Sequence, residues 1–211
     1  MNYSTLVQDI QDWTENNESV FVSQIDTFID FAELRILRET DLNVARKYAS
    51  STLTQDVTFL SVPSDMVVLR SLQTVVGDTR TFLQQKEPSF LNEFIVDRTA
   101  TGSPRYYAHY DQDALSVVPA PASDTLVELA YTYRITGLSA ANTTNWIGDN
   151  APSALLYACL IEANIFMKGE AGLTQNYTQK YQEALQALLA EQNVRNRRDE
   201  YRAGVIEVNL G

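Results

Sequence analysis

The spacing of apolar residues changes character twice along this chain, and that double change limits the folds open to it. At the start, Tyr3, Leu6, Val7, Ile10 and Trp13 recur at helical spacing, with Asp9, Asp12 and Glu15 on another face. Ser4 reads as the N-cap, and the pair Asn16–Asn17 breaks the pattern. A second helix is predicted from about Val20. Its stripe is Phe21, Ile25, Phe28, Ile29, Ala32 and Ile36, broadened by Phe31, Leu34 and Leu37.

From Tyr48 to about Arg134 the period becomes extended. Tyr48–Leu53 and Val57–Val62 flank Gln55–Asp56 and read as a hairpin, and Pro63–Ser64–Asp65 as a turn. Met66–Val76 is apolar and β-branched, Gly77–Asp78 offers a tight reversal, and Thr79–Leu83 is the return strand. Pro88–Val96 is predicted as a short helix with proline in its first turn. Arg105–Tyr110, Ala114–Val118 and Thr125–Arg134 complete the strands. Ile135–Asn150 is long for a connection and is a candidate contact loop. Helical spacing then returns. A helix capped by Asn150, with Pro152 in its opening turn, is apolar on much of its girth through Leu155, Leu156, Cys159, Ile161, Phe166 and Met167, which implies burial between other elements. Gly169 and Gly172 end it, and a last helix runs from about Leu173 to Asn196.

Strands segregated from helices indicate an α+β fold. The simplest packing is a four-helix bundle built from both chain ends, with a β-rich insert between helices 2 and 3. The expected divisions are residues 1–47 and 136–196 as the two parts of the bundle, 48–135 as the insert, and 197–211 as a tail.

Composition then excludes several kinds of chemistry. One cysteine rules out an internal disulfide and multi-cysteine metal sites, and one histidine removes most His-based metal and haem chemistry. No cofactor and no metal site is expected. The 27 acidic against 16 basic residues give a net charge of −11, which argues against binding nucleic acid by phosphate neutralisation. No apolar run approaches the ~20 residues of a membrane span, so no membrane partner is expected, and the opening residues do not read as a signal peptide. His109 lies in an aromatic strand without a Gly-x-Ser-x-Gly elbow, and Cys159 sits mid-helix among leucines. Asp111–Gln112–Asp113 lacks the further carboxylates and glycine of a calcium loop and reads as a turn. No glycine-rich phosphate loop occurs. Nothing here points to an enzyme.

Two charge features stand out. Seven acidic residues and no basic one precede Arg35, which makes either a solvated helical face or a surface where negative charge is used. Near the other end, Arg195, Arg197, Arg198 and Arg202 are interrupted by Asp199 and Glu200. They either complement a helix dipole or, with Tyr201, form a docking segment. The last residues, Val205–Leu210, are β-prone and could add to a partner's sheet edge.

The segments LVQDIQDWTEN, SVFVSQIDTFIDFAELRILRE, LSVPSDMVVLRSL, GSPRYYAHYD, VELAYTYR and the block from Trp146 to Gly204, with ALLYACLIEA, FMKGE, KYQEAL and RRDEYR, occur in one order along the chain. As an ordered set they resemble the head-to-tail adaptor family of tailed bacteriophages. The resemblance implies a virion structural protein of the head–tail junction, assembled in the host cytoplasm. It implies a homo-oligomeric ring, usually of twelve copies, bound to the portal protein and followed by tail or nozzle proteins. Double-stranded DNA would pass through its lumen without specific binding. It also implies that the tail reaches the portal, which makes Arg195, Arg197, Arg198, Tyr201 and Arg202 the docking candidates. Trp146 and Ile147 are candidates for subunit or tail interface anchors, or for packing inside the subunit. The alternative function is an adaptor-fold protein with an added peptidoglycan-cleaving activity; a host-derived scaffold or regulator is a third, weaker possibility.

Overall fold

A helix that is apolar all round must be covered on every side, and this chain has one. In the computed structural model, which describes residues 1–97 and 99–197, the helices are α1 (Tyr3–Thr14), α2 (Ser19–Val22), α3 (Ile25–Glu39), α4 (Pro88–Phe94), α5 (Trp146–Asn150), α6 (Pro152–Phe166) and α7 (Ala171–Arg197). The strands are β1 (Arg46–Leu53), β2 (Phe59–Ser61), β3 (Met66–Val76), β4 (Thr79–Phe82), β5 (Gln84–Gln85), β6 (Thr101–Gly102), β7 (Tyr106–His109), β8 (Ala114–Val118), β9 (Ala120–Pro121) and β10 (Thr125–Tyr133). The chain divides into a helical unit, Met1–Val44 with the residues from Ile135 on, and a β unit, Ala45–Arg134.

In the helical unit, α6 buries Ala154, Leu155, Ala158, Cys159, Leu160, Ile161, Ala163 and Asn164, residues that point to every side of its axis. The main packing of α1, α3 and α7 is against α6. They contribute Leu6 and Ile10 from α1, Phe28, Ile29, Ala32 and Ile36 from α3, and Tyr177, Tyr181, Leu185 and Leu188 from α7. Polar contacts hold the covering helices in place. Arg35 pairs with Glu162 on α6 at 2.5 Å, and the Tyr181 hydroxyl donates to Glu39 at 2.9 Å. At the α6–α7 turn, Asn164 Nδ2 donates to Thr174 Oγ1 (2.7 Å) and to the Glu170 carbonyl (3.1 Å).

The β unit has two four-stranded sheets, ordered β1-β10-β3-β4 and β2-β8-β7-β5, and a two-stranded pair, β6-β9. The first sheet is antiparallel throughout; β10 runs from Leu53↔Thr125 to Arg46↔Thr132 against β1 and lies against β3 on its other side. Leu53, Leu69, Leu72, Val127, Leu129 and Tyr131 of this sheet share one core with Leu60, Tyr107, Leu115 and Val117 of the second. Helix α4 covers part of the second sheet, where Leu91 packs with Ala108 and Val118.

The expected plan is therefore corrected. The class is α+β, but a four-helix bundle carrying a single β insert is not what forms. Three helices surround a fourth because α6 has no polar face to leave outside, and the strands separate into layers of their own with a helix among them. Smaller readings change with it. Tyr48–Leu53 and Val57–Val62 do not form a hairpin: β1 pairs with β10 and β2 with β8. At the turn between them Asp56 has φ 60°, and its N–H donates to the Pro121 carbonyl at 3.0 Å, so the chain crosses from one sheet to the other. The cap of α1 is Asn2, in a reciprocal box with Thr5, and not Ser4. The helix expected from Val20 is broken into α2 and α3. Asn150 ends α5 and does not cap α6, and Gly172 lies inside α7.

One buried charge ties the helical unit together. Glu33 on α3 is only 4% exposed. Its carboxylate accepts from the Leu138 N–H at 3.2 Å and from Asn145 Nδ2 at 2.6 Å. A Cβ on Gly137 would fall 2.7 Å from Glu33 Oε2, so glycine lets the connection approach this carboxylate. Burial raises the Glu33 pKa above the ordinary carboxylate value, against the lowering effect of these hydrogen bonds. Between the unfolded and folded pKa values the folded chain holds more protons, so the contribution of Glu33 to stability falls as pH rises through that window. Glu33→Gln removes the titration, and the stability difference between it and wild type, followed by urea denaturation, should move in favour of glutamine from pH 4 upward. Glu33→Ala strands two donors and should cost about 2 kcal/mol.

Candidate functional site

The residues that could carry chemistry are kept apart or inert by their local structure. His109 is exposed at the end of β7, opposite Leu115 on β8. It lines a cavity of about 300 Å3 in the β unit together with Asp56, Thr58, Phe59, Tyr110 and Ser116. No hydrogen bond among the described residues joins His109 to Asp56 or Ser116. Asp111 Oδ1 accepts the Asp113 N–H at 2.9 Å, so Asp111–Gln112–Asp113 forms the turn between β7 and β8. Among the described residues, no group of three or more His, Cys, Asp or Glu is placed to hold a metal ion, and no helix is long and apolar enough to cross a membrane. Cys159 is fully buried on α6. Burial, reinforced by the Glu33 and Glu162 carboxylates, raises its thiol well above the ordinary range and keeps it protonated.

Surfaces offer more than pockets do. Of the seven acids before Arg35, Asp12, Glu15, Glu18, Asp26 and Asp30 are exposed and Asp9 is half-buried. The seventh, Glu33, is the pin described above. The sequence reading groups it with the other six on a solvated face or a charged contact surface, yet Ile29, Ala32, Glu33 and Ile36 share the buried side of α3. That spacing was the available signal. On the same unit Trp13 stands half exposed, edge-on to Tyr157 with centroids 5.9 Å apart and tilted on Tyr177 at 6.5 Å. Ile165, Phe166 and Leu173 are also exposed. On the β unit the exposed apolar side chains include Tyr48, Val68, Val76, Phe82 and Leu126.

The candidate anchors occupy α5. Asn145 caps this short helix by accepting the Gly148 N–H at 2.9 Å, while its own Nδ2 holds Glu33 and the Thr136 carbonyl. The chain start is bound to the same region: the Met1 ammonium donates to the Gly148 carbonyl at 2.9 Å, and the Tyr3 N–H to the Thr143 carbonyl at 2.8 Å. Ile147 is 0% exposed and belongs to the core of the helical unit, whereas Trp146 is half-buried. The backbone of Arg195 and Arg197 ends α7; their side chains, and all of Arg198, Tyr201, Arg202 and Val205–Leu210, lie outside the described residues.

The family model of the SU10 adaptor protein matches residues 1–207, both units included. No curated protein matches the chain. The chain belongs to the SU10 adaptor family, a phage head-to-tail adaptor family, whose members are structural components of the virion. The resemblance read from the ordered sequence segments is the same family.

A structural role asks no chemistry of Cys159. In the native protein the thiol should stay unmodified by a thiol-specific chromogenic disulfide over hours and react fully once urea unfolds the chain. Rapid labelling of the folded protein would show that α6 is not covered as described.

Proposed function

We propose that this SU10-family adaptor assembles as a ring of twelve beneath the portal, joins it to the tail or nozzle, and continues the DNA channel through its lumen. The observation that carries the reading is the family match across residues 1–207, which takes in the helical unit, the β unit and most of the tail. A ring is held by heterologous contacts, each patch meeting a different patch on the next copy, and exposed aromatic and aliphatic side chains on both units supply material for them.

Charge supports the channel part of the reading. At −11 per copy, a ring carries a strongly negative field. The exposed acids of α1 and α3 would repel the phosphate backbone and let DNA pass without adhering. Purified rings should retain no duplex DNA at low salt; retention that weakens steeply with salt, or a basic lumen in an electrostatic map of the ring, would contradict this assignment.

Portal docking is proposed for the arginine-rich end, with Arg195, Arg197, Arg198, Tyr201 and Arg202 as its contacts; guanidinium forks and a tyrosine suit a desolvated protein surface. Trp146, half-buried, remains a candidate for a subunit or tail contact, and Ile147 stabilises the segment that presents it. Removing residues 195–211 should leave the circular dichroism spectrum helical and the unfolding cooperative, while co-sedimentation with portal rings is lost. Undiminished sedimentation with the portal would reduce the basic end to a helix terminus.

A further inference from the structure

We infer that the first sheet of the β unit continues from one copy to the next, with the free edge of β1 pairing antiparallel with the free edge of β4 in the neighbouring subunit. The inference rests on the ring reading proposed above and names the contact that closes it.

Strand direction makes the junction possible. In the order β1-β10-β3-β4 every neighbouring pair is antiparallel. With an even number of strands, the two edges run in opposite directions. Copies related by rotation about a ring axis can therefore place β4 of one beside β1 of the next in the antiparallel sense. An odd number would have forced parallel pairing. The contact joins two different edges, which is the heterologous geometry that a closed ring requires; β1 against β1 would be isologous and stop at a dimer.

Among the described residues, no strand pairs with the outer edge of β1 or of β4. β1 is eight residues long, contains no proline, and from Tyr48 to Thr52 carries no charge. Of those five residues four are exposed and Ala49 is half-buried, and all four residues of β4 are exposed. Edges of this kind invite pairing with another chain, and proteins blunt them with short strands, proline or charge. The second sheet follows that rule, ending in β2 with three residues and β5 with two. The first sheet follows it at β4, which has four residues including Arg80, but not at the longer β1.

The side chains agree with a shared face. Ser50, Glu128, Gln73 and Phe82 form one row across the sheet, and Thr52, Leu126, Val75 and Arg80 the next. Tyr48 and Phe82 therefore stand on the same outer face, at opposite edges, 84% and 65% exposed. Because the other face is the core, any register that keeps both cores inside puts Tyr48, Ser50 or Thr52 opposite Arg80 or Phe82 of the neighbour. Such a junction brings the two aromatic edges together, the kind of cross-strand pair that stabilises a sheet.

Cysteine pairs test this in the full chain, because the native Cys159 is buried. Tyr48→Cys, Ser50→Cys and Thr52→Cys would each be combined with Phe82→Cys, assembled with portal rings, oxidised with copper phenanthroline and run on non-reducing gels. At least one pair should give a ladder of dimer, trimer and higher species, absent from every single-cysteine variant. Dimers from Ser50→Cys alone would mean β1 meets β1 and would overturn the inference. No ladder from any pair, with rings still visible by electron microscopy, overturns the inference and leaves the ring reading intact. Chains that neither cross-link nor form rings on the portal overturn both. As an independent readout, Ser50→Lys with Thr52→Lys should unfold at the wild-type temperature yet lose ring assembly; unchanged assembly would contradict the contact.

Discussion

The helical unit depends on the need to cover α6. A helix whose buried residues face every direction gains stability only when other segments surround it, and each fully buried leucine, such as Leu155 or Leu160, contributes about 1.5–3 kcal/mol. The segments that cover it come from before and after the β unit. Residues 1–44 and those from 135 on must therefore fold together, and the chain between them is free to form a core of its own. Division into two units is a consequence of one helix lacking a polar face.

Given that packing, Glu33 has a clear place. A carboxylate beside α6 is costly unless its acceptors are filled, and the connection after the β unit fills them with the Leu138 N–H and Asn145 Nδ2. The same asparagine caps α5, so a single buried charge on α3 fixes where the chain re-enters the helical unit and how Trp146 is presented. The acids around it serve a different purpose. Asp26 accepts the Tyr3 hydroxyl at 2.6 Å and so links α3 to α1, but with Asp12, Glu15, Glu18 and Asp30 it stays exposed, and their field is available for a partner or a channel.

What the sequence revealed follows the range of each signal. Pro88 at the start of α4 and Gly77–Asp78 between β3 and β4 are local, and both were readable; Gly77 has the φ of 58° that such a turn uses. The breadth of apolar positions in α6 announced its burial. Strand pairing was not readable, because alternation fixes which side of β1 faces the core but not whether β2 or β10 lies beside it. The role of Glu33 was hidden by its residue type, although its position beside Ala32 and Ile36 placed it on the buried side. Trp146 and Ile147 were singled out as a pair, yet adjacent positions of a short helix point in different directions, and Ile147 went inward. The family resemblance rests on ordered segments spanning nearly the whole chain, to about Gly204, a signal that survives errors in individual elements.

Hydrogen exchange of the free chain and of the ring assembled on its portal tests most directly the claim of a covered helix and an offered sheet edge. The account expects α6 amides to exchange slowest in both states, and the outward amides of β1 and β4 to exchange fast in the free chain and slowly in the ring. β1 and β4 amides that exchange alike in the two states, with α6 no better protected than the small helix α4, would contradict it.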